Sequence, residues 1–354
     1  MKLTGHRIDV AAVPYEAGRR ASHILLRLRT DGGVEGLGYV SLVTAAAWQV
    51  KPIVATLEVM VEQIGEADLM ATEAINHRLL AMCDGGPMAG LGRRCAAVID
   101  VALWDIKGKA LGQPVATLLG GYRDRAPVYA SWQLWWTYDL PTLKKNAQEI
   151  LGMGYRAMKF RLGGVSDPEE IAARCAVMRE AVGDDVALMA DANQSWTLTQ
   201  ALAMGRALEP YRLYWLEDPV PFTDLHGLAE VSRALGTPLA TGESYHEAGP
   251  FRELFERHAT EIAIIDLDVG GLTQWMKIAA LAQAYGVPVA GHTAPEALVH
   301  AVSAAPNGCY VEHIPWMAPL IKDGPERVDG QMVVPARPGL GLELDEAALR
   351  KYAV

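Results

Sequence analysis

From about residue 125 onward the chain alternates short apolar runs with longer amphipathic stretches. The apolar runs at 126–131, 157–162, 186–191, 213–217, 238–243, 261–266, 287–292 and 309–313 have the length and composition of buried strands. Helical periodicity fills the gaps at Asp167–Val182, Leu198–Leu208, Leu225–Leu235, Pro250–His258, Gly271–Tyr285 and Ala294–Ala305. Eight strands with helices between them favour a closed (β/α) barrel over an open sheet. The repetition is architectural, without the self-similarity of a solenoid.

The first 124 residues read differently. Ile24–Arg29 is a strand, Asp31-Gly-Gly33 a turn, and Val34–Val40 a strand that pairs back as a hairpin. Helical patterns follow at 48–64, 71–82 and 92–111, and Gly112 and Pro114 stop the last. Strands followed by helices predict a separate α+β lobe over 1–124, with the barrel over 125–320. Pro335 to Gly341 is rich in turn residues. The segment 321–354 is expected to pack back on the first lobe.

A length of 354 residues fits about two domains. The net charge of −10 argues against a basic nucleic-acid surface, and an anionic substrate would need local positive charge or a metal. Cys83, Cys95, Cys175 and Cys309 show no paired spacing and read as reduced thiols. No signal-peptide core stands at the start, and no apolar run is long enough to span a bilayer. A cytoplasmic protein with no membrane or nucleic-acid partner is expected.

The interval from Asp191 to Glu217 is 26 residues, and from Glu217 to Glu243 it is 26 again. Each acid closes an apolar run, and a step of about 25 residues is what one strand, one helix and two loops need. Parallel neighbours would set three carboxylates side by side at one rim, a site for a hard divalent cation. Barrels of this kind keep their chemistry at the C-terminal strand ends. Lys159 and Arg161, Asp191 and Asn193, Glu217, Glu243, Asp266, His292 and Glu312 all fall at such ends. A single acid there is commonly a cap or a surface group, and Asp218 before Pro219 fits that description. Seven consecutive strands ending in ionisable groups do not.

The ordered stretches Ala96–Pro114, Met158-Lys-Phe-Arg161, Ala190-Asp-Ala-Asn-Gln-Ser-Trp196, Trp215-Leu-Glu-Asp-Pro219, Gly242-Glu243, Gly270-Gly-Leu-Thr273 and Gly291-His-Thr293 carry a resemblance. The chain resembles the enolase superfamily, in its mandelate racemase-like branch, over almost its whole length. The resemblance implies a modified TIM barrel, (β/α)7β, with an α+β capping domain built from the N-terminal region and the C-terminal tail. It implies one Mg2+ per subunit held by Asp191, Glu217 and Glu243, a small-molecule carboxylate substrate, and a homo-oligomer, octamer or dimer. It implies a His292–Asp266 dyad, with Asp268 a competing partner because the segment before Gly270 is about one residue short. It assigns Glu312 as a carboxyl, kept neutral, that shares a proton with an enediolate oxygen. His300 lies within a helix and reads as packing.

Lys159-Phe-Arg161 departs from the family's lysine pair. Alternation puts both side chains on one strand face. Arginine is a poor proton acceptor and a strong carboxylate donor, so a two-base racemase is disfavoured. Either Lys159, its pKa lowered by Arg161, or His292 alone then does the proton chemistry. The leading expectation is dehydration of a sugar acid, aldonate or aldarate, to a 2-keto-3-deoxy acid. The runner-up is a racemase, epimerase or cycloisomerase. A metal-dependent binding protein without activity and a metal-assisted hydrolase are further classes; the first conflicts with the full set of polar strand ends, the second with the lack of clustered histidines. Asn193 is expected to bind a substrate hydroxyl. The loops Pro14–Arg20 and Ser41–Ala45 are expected to close the mouth, bringing Tyr15 and Arg20, or Arg19, to the substrate. Trp132, Trp135 and Trp136 are expected to wall the pocket or pack, with Trp132 taken as the substrate contact.

Overall fold

The computed structural model describes residues 1–43, 47–84 and 89–354. Thr44 and Ala45, part of the second expected mouth loop, lie outside the described residues. The chain opens with β1 (Leu3–Pro14), β2 (Arg20–Thr30) and β3 (Glu35–Val43), which form one antiparallel sheet in sequence order. Next come α1 (Ala47–Glu62), α2 (Thr72–Ala81), α3 (Ala89–Leu111) and the short α4 (Val115–Leu118).

Strand alternation explains why β2 is buried along nearly its whole length. Ile24, Leu26 and Leu28 point into a core shared with α1, α2 and α3, while Ala21 and Leu25 on the other face join the core of the barrel. The sheet is thus sandwiched between its own helices and the barrel. At Gly38 an added Cβ would meet the Val98 carbonyl oxygen at 1.9 Å, so β3 approaches α3 closely enough to require glycine. Two buried acids on α3 tie the lobes together. Asp100 accepts Thr273 N–H at 3.0 Å and Thr273 Oγ1–H at 2.6 Å, and Asp105 accepts Leu37 N–H and Leu340 N–H, both at 2.8 Å.

The barrel strands are β4 (Arg125–Ala130), β5 (Ala157–Arg161), β6 (Ala187–Asp191), β7 (Trp215–Glu217), β8 (Leu239–Thr241), β9 (Ile262–Ile265), β10 (Val289–Gly291) and β11 (Gly308–His313). Each pairs in parallel with the next, and β11 closes on β4. Between them run α5 (Leu140–Gly152), α6 (Pro168–Val182), α7 (Leu198–Leu208), α8 (Leu225–Ala234), α9 (Ala248–Glu256), α10 (Leu272–Ala284) and α11 (Pro295–Ala304). This is a closed eight-stranded barrel of the (β/α)7β kind with an antiparallel capping sheet. The outward residues Met158, Phe160, Leu188, Ala190 and Leu216 pack under the helices. The inward residues Tyr129, Ala157, Met189, Trp215, Ala240 and Ile264 fill the barrel floor. One step further along the same inward face stand Lys159, Asp191 and Glu217.

After the barrel come β12 (Ile321–Asp323), β13 (Arg327–Val328), β14 (Gln331–Val333), β15 (Glu343–Leu344) and α12 (Glu346–Tyr352). β14 pairs antiparallel with β4, while α12 packs on β1 and its Glu346 forms an ion pair with Arg27 of β2. His300 is buried on α11, where Nδ1 accepts Ala116 N–H and Nε2 donates to Leu340 O, each at 3.1 Å, which makes it a packing residue. Among the described residues no helix is long and apolar enough to cross a membrane.

Candidate active site

The parallel ladder sets Arg161 beside Asp191 and Asp191 beside Glu217. Glu243 follows Gly242, whose φ of 131° and whose would-be Cβ at 2.6 Å from Ile264 O leave room only for glycine. The chain leaves the other strand ends through left-handed residues: Asn193 (φ 48°) and Gln194 (φ 60°) after β6, Asp218 (φ 42°) after β7, Thr293 (φ 53°) after β10. Such backbone costs energy and clusters where side chains must be aimed.

Charged groups converge here in a nearly dry environment. Lys159 is fully buried; its Nζ is hydrogen-bonded to Glu217 and lies 3.1 Å from Glu312 Oε1 and 3.7 Å from Asp191 Oδ2. Burial opposes its charge, but Glu217 and Glu312 outweigh burial and hold the amine well above the ordinary lysine range. Arg161 pairs with Asp191, donates to Ser131 Oγ at 3.2 Å and lies 3.7 Å from Glu312 Oε1.

On the opposite side, His292 Nδ1 is 2.7 Å from Asp266 Oδ2, which settles the partner. Asp268 instead accepts Arg94 Nε–H at 2.8 Å. His292 Nε2 lies 3.0 Å from Glu243 Oε2 and 3.5 Å from Glu312 Oε2. Burial disfavours the imidazolium, yet Glu243, Glu312 and Asp266 together raise its pKa well above the usual histidine value. Glu312 therefore sits between Lys159 and His292, one oxygen toward each. Against burial, Lys159, His292 and Arg161 draw its pKa down to about 2. The positive groups on both sides thus favour the ionised form of Glu312 in this arrangement.

Asp191, Glu217 and Glu243 each face a cationic side chain, Arg161, Lys159 and His292 respectively. Among the described residues no three His, Cys, Asp or Glu side chains form a ready-made metal cluster. The donors nevertheless suit a hard cation: all are carboxylate oxygens, and acids outnumber permanent cations around them. Glu243 Oε2 is buried near Nε2 but off hydrogen-bonding direction, and Asn193 Oδ1 is buried without a partner. The Asn193 N–H and Nδ2–H both hold Asp191, at 2.7 and 3.1 Å.

Three expected substrate contacts fare differently. Tyr15 packs edge-on against Trp316, with its hydroxyl buried and unpartnered. Arg20 is exposed and donates to Ala12 O at 2.6 Å, in a groove formed with Val50, Val54 and Val354. Arg20 is thus corrected: β2 has begun there, and its side chain leaves on the face away from the barrel mouth. Its neighbour Arg19 lies over the Trp135 ring. Trp132 is also corrected: it is buried edge-on against Tyr155 and His313, as packing between β4 and β11. Residues not singled out from the sequence are Glu16, Ser131 and Arg94, together with Trp215, whose Nε1–H donates to Glu217 Oε2 at 2.8 Å. Alternation along β7 was a signal for Trp215, two residues before Glu217.

A cavity of about 220 Å³ lies between β3, α3 and the dyad, lined among others by Ser41, Arg94, Asp266, His292 and Trp316. It opens onto the histidine side of the site. Residues 9–120 match the mandelate racemase/muconate lactonizing enzyme N-terminal domain, and residues 142–348 match the enolase C-terminal domain-like family. The chain belongs to the mandelate racemase/muconate lactonizing enzyme branch of the enolase superfamily. Within that branch it is 33% identical to L-talarate/galactarate dehydratase of Salmonella typhimurium, covering 92% of this chain and 81% of that protein. It is 32% identical to 3,6-anhydro-alpha-L-galactonate cycloisomerase of Streptomyces coelicolor, over 94% of this chain and 91% of that one. The crystal structure of L-talarate dehydratase from Polaromonas sp. JS666, complexed with Mg and L-glucarate, superposes with a TM-score of 0.91 at 32% identity, covering 100% of this chain and 97% of that one. The protein is an enolase-superfamily enzyme, whose members use Mg2+.

Proposed function

We propose that this enzyme dehydrates a sugar acid, removing the α-proton and expelling the β-hydroxyl to give a 2-keto-3-deoxy acid. The observation that carries the reading is the placement of one oriented histidine opposite a buried, charge-saturated lysine. Mg2+ held by Asp191, Glu217 and Glu243 would supply positive charge that stabilises the enediolate oxygens.

His292 is the proton-transfer group. Asp266 fixes the ring with Nδ1–H donated to the carboxylate, leaving Nε2 to exchange protons. Glu243, when it serves the metal, no longer stabilises a proton on Nε2, so the ring starts neutral with a free lone pair there. Nε2 takes the α-proton, then returns it to the β-hydroxyl, whose C–O bond breaks as water leaves. The α–β double bond left behind is an enol, which gains a proton at its β-carbon and becomes the ketone. Lys159 and Arg161 act as fixed cations that orient the substrate carboxylate, and the unpartnered Asn193 Oδ1 accepts a substrate hydroxyl. Glu312 holds Lys159 and His292 at a set separation.

A second reading, cycloisomerisation of a lactone or anhydro sugar acid, uses the same groups and is supported by the cycloisomerase relative. Incubation with Mg2+ and a set of aldonates, aldarates and their lactones separates the two. Semicarbazide-reactive 2-keto acid from an open-chain acid supports dehydration. Lactone consumption without such product from any open-chain acid overturns it. The four free cysteines support a reducing compartment such as the cytoplasm.

A further inference from the structure

The segment joining β1 to β2 reaches over the barrel mouth and is fastened there by one residue. Glu16 Oε1 accepts the Gln133 backbone N–H at 2.8 Å, and its Oε2 accepts the Trp135 Nε1–H at 2.7 Å. A capping-lobe carboxylate thus fixes the ring of a residue in the β4–α5 connection. That ring serves two guanidiniums. Arg161 Cζ lies 4.8 Å and Arg19 Cζ 5.2 Å from its centroid, so the two carbons are at most 10 Å apart.

The two arginines differ in what they have left to offer. Arg161 is committed to Asp191. Among the described residues no carboxylate pairs with Arg19. On the same segment the Tyr15 hydroxyl is buried without a hydrogen-bond partner, which is costly unless a ligand satisfies it. Arg94, which lines the cavity on the histidine side, already has its charge matched by Asp268.

We propose that Arg19 and Tyr15 form a subsite for a second, distal carboxylate, so that this enzyme takes six-carbon diacids in preference to the corresponding monoacids. The proposal rests on the sugar-acid reading of the site. The terminal carbons of an extended six-carbon chain are about 6 Å apart, from five bonds of about 1.5 Å in zigzag. That length fits between groups beside Arg161 and a guanidinium no more than 10 Å from it. A guanidinium fork also matches a carboxylate, whereas a terminal hydroxyl would leave the cation unpaired. The net charge of −10 works against a doubly charged ligand, so local positive charge has to offset it. Glu16 is a positioning residue that acts through Trp135 and the course of the segment.

The test is calorimetric titration of the Mg2+-loaded protein with galactarate and with galactonate, in a His292→Asn background that removes turnover. The background protein binds the diacid more tightly, and adding Arg19→Gln lowers the diacid-to-monoacid affinity ratio about tenfold. In the otherwise unsubstituted enzyme, Glu16→Gln raises KM for the diacid with a smaller change in kcat. A ratio unchanged by Arg19→Gln overturns the subsite, as does a ratio lost on Arg94→Gln and kept on Arg19→Gln. Tighter binding of the monoacid by the background protein overturns it as well. These binding ratios do not depend on which reaction follows. Failure of the dehydratase reading is seen separately, as absence of 2-keto acid from either compound with the unsubstituted enzyme.

Discussion

His292 Nδ1 stands 2.7 Å from Asp266 Oδ2, across the site from a lysine that has no exposed surface. That asymmetry supports the proposal that His292 alone does the proton chemistry. His292→Asn keeps the ring's approximate volume and a donor toward Asp266 but removes the exchangeable Nε2. Its kcat is expected to fall by at least about a hundredfold, the usual scale of general acid–base catalysis, with the fold intact by circular dichroism. A kcat within twofold of the unsubstituted enzyme would take His292 out of the mechanism.

Trp215 lies beneath the site and donates to Glu217 Oε2 at 2.8 Å. Groups that orient ligands typically change metal affinity by about ten- to a hundredfold when removed. Trp215→Phe preserves most of the buried ring and deletes the N–H. Mg2+ affinity, read by thermal shift across a metal titration, is expected to weaken by about tenfold. An unaltered midpoint would separate Trp215 from the metal site.

Glu296 opens α11 and accepts the Tyr39 hydroxyl at 2.9 Å, joining the capping sheet to the barrel. Burial raises its pKa from 4.5 to about 7. A carboxyl that holds its proton more firmly when folded contributes stability that is full below pH 4.5 and is lost as the pH rises through 7. Stability of the unsubstituted protein relative to Glu296→Gln is therefore expected to fall between pH 4.5 and 7 and to level off above. Parallel urea unfolding at several pH values measures this. A difference that stays flat across the window would show that the carboxyl titrates as in water.

Gly242 aims Glu243 from a backbone region that disfavours side chains. Gly242→Ala sets a Cβ against Ile264 O and Phe251, and a loss on the order of 1–3 kcal/mol is expected for this kind of backbone strain. Chemical denaturation gives the value, and a change below about 0.5 kcal/mol would show that the turn relaxes at little cost, as at ordinary surface sites.

Much of this architecture was legible because period-two alternation marks the barrel's inner face. Lys159 and Arg161 share that face with Ala157, and Glu217 shares it with Trp215. Strand β1 escapes the alternation, because Thr4, His6, Arg7 and Asp9 mix polar residues into a strand that is only partly buried. Helix α5 escapes the periodicity, although Asp139 caps it and Pro141 lies in its first turn, since the aromatic connection before it hides the boundary. Arg19 and Arg20 could not be told apart. Which of two adjacent side chains faces the mouth is set by the tight turn over Glu16–Gly18, and that turn is held by a contact more than a hundred residues away. The setting of Glu312 was hidden for a similar reason, because only the closed barrel brings Lys159, Arg161 and His292 around it.

The most direct measurement is the fate of the substrate's α-proton and β-hydroxyl in one experiment. Sugar acids are incubated with the enzyme and Mg2+ in D2O and the mixture is followed by proton NMR. A 2-keto-3-deoxy acid carrying deuterium at its new methylene carbon is predicted, with none formed by His292→Asn. Deuterium in recovered, stereochemically inverted substrate without any 2-keto acid would contradict the account.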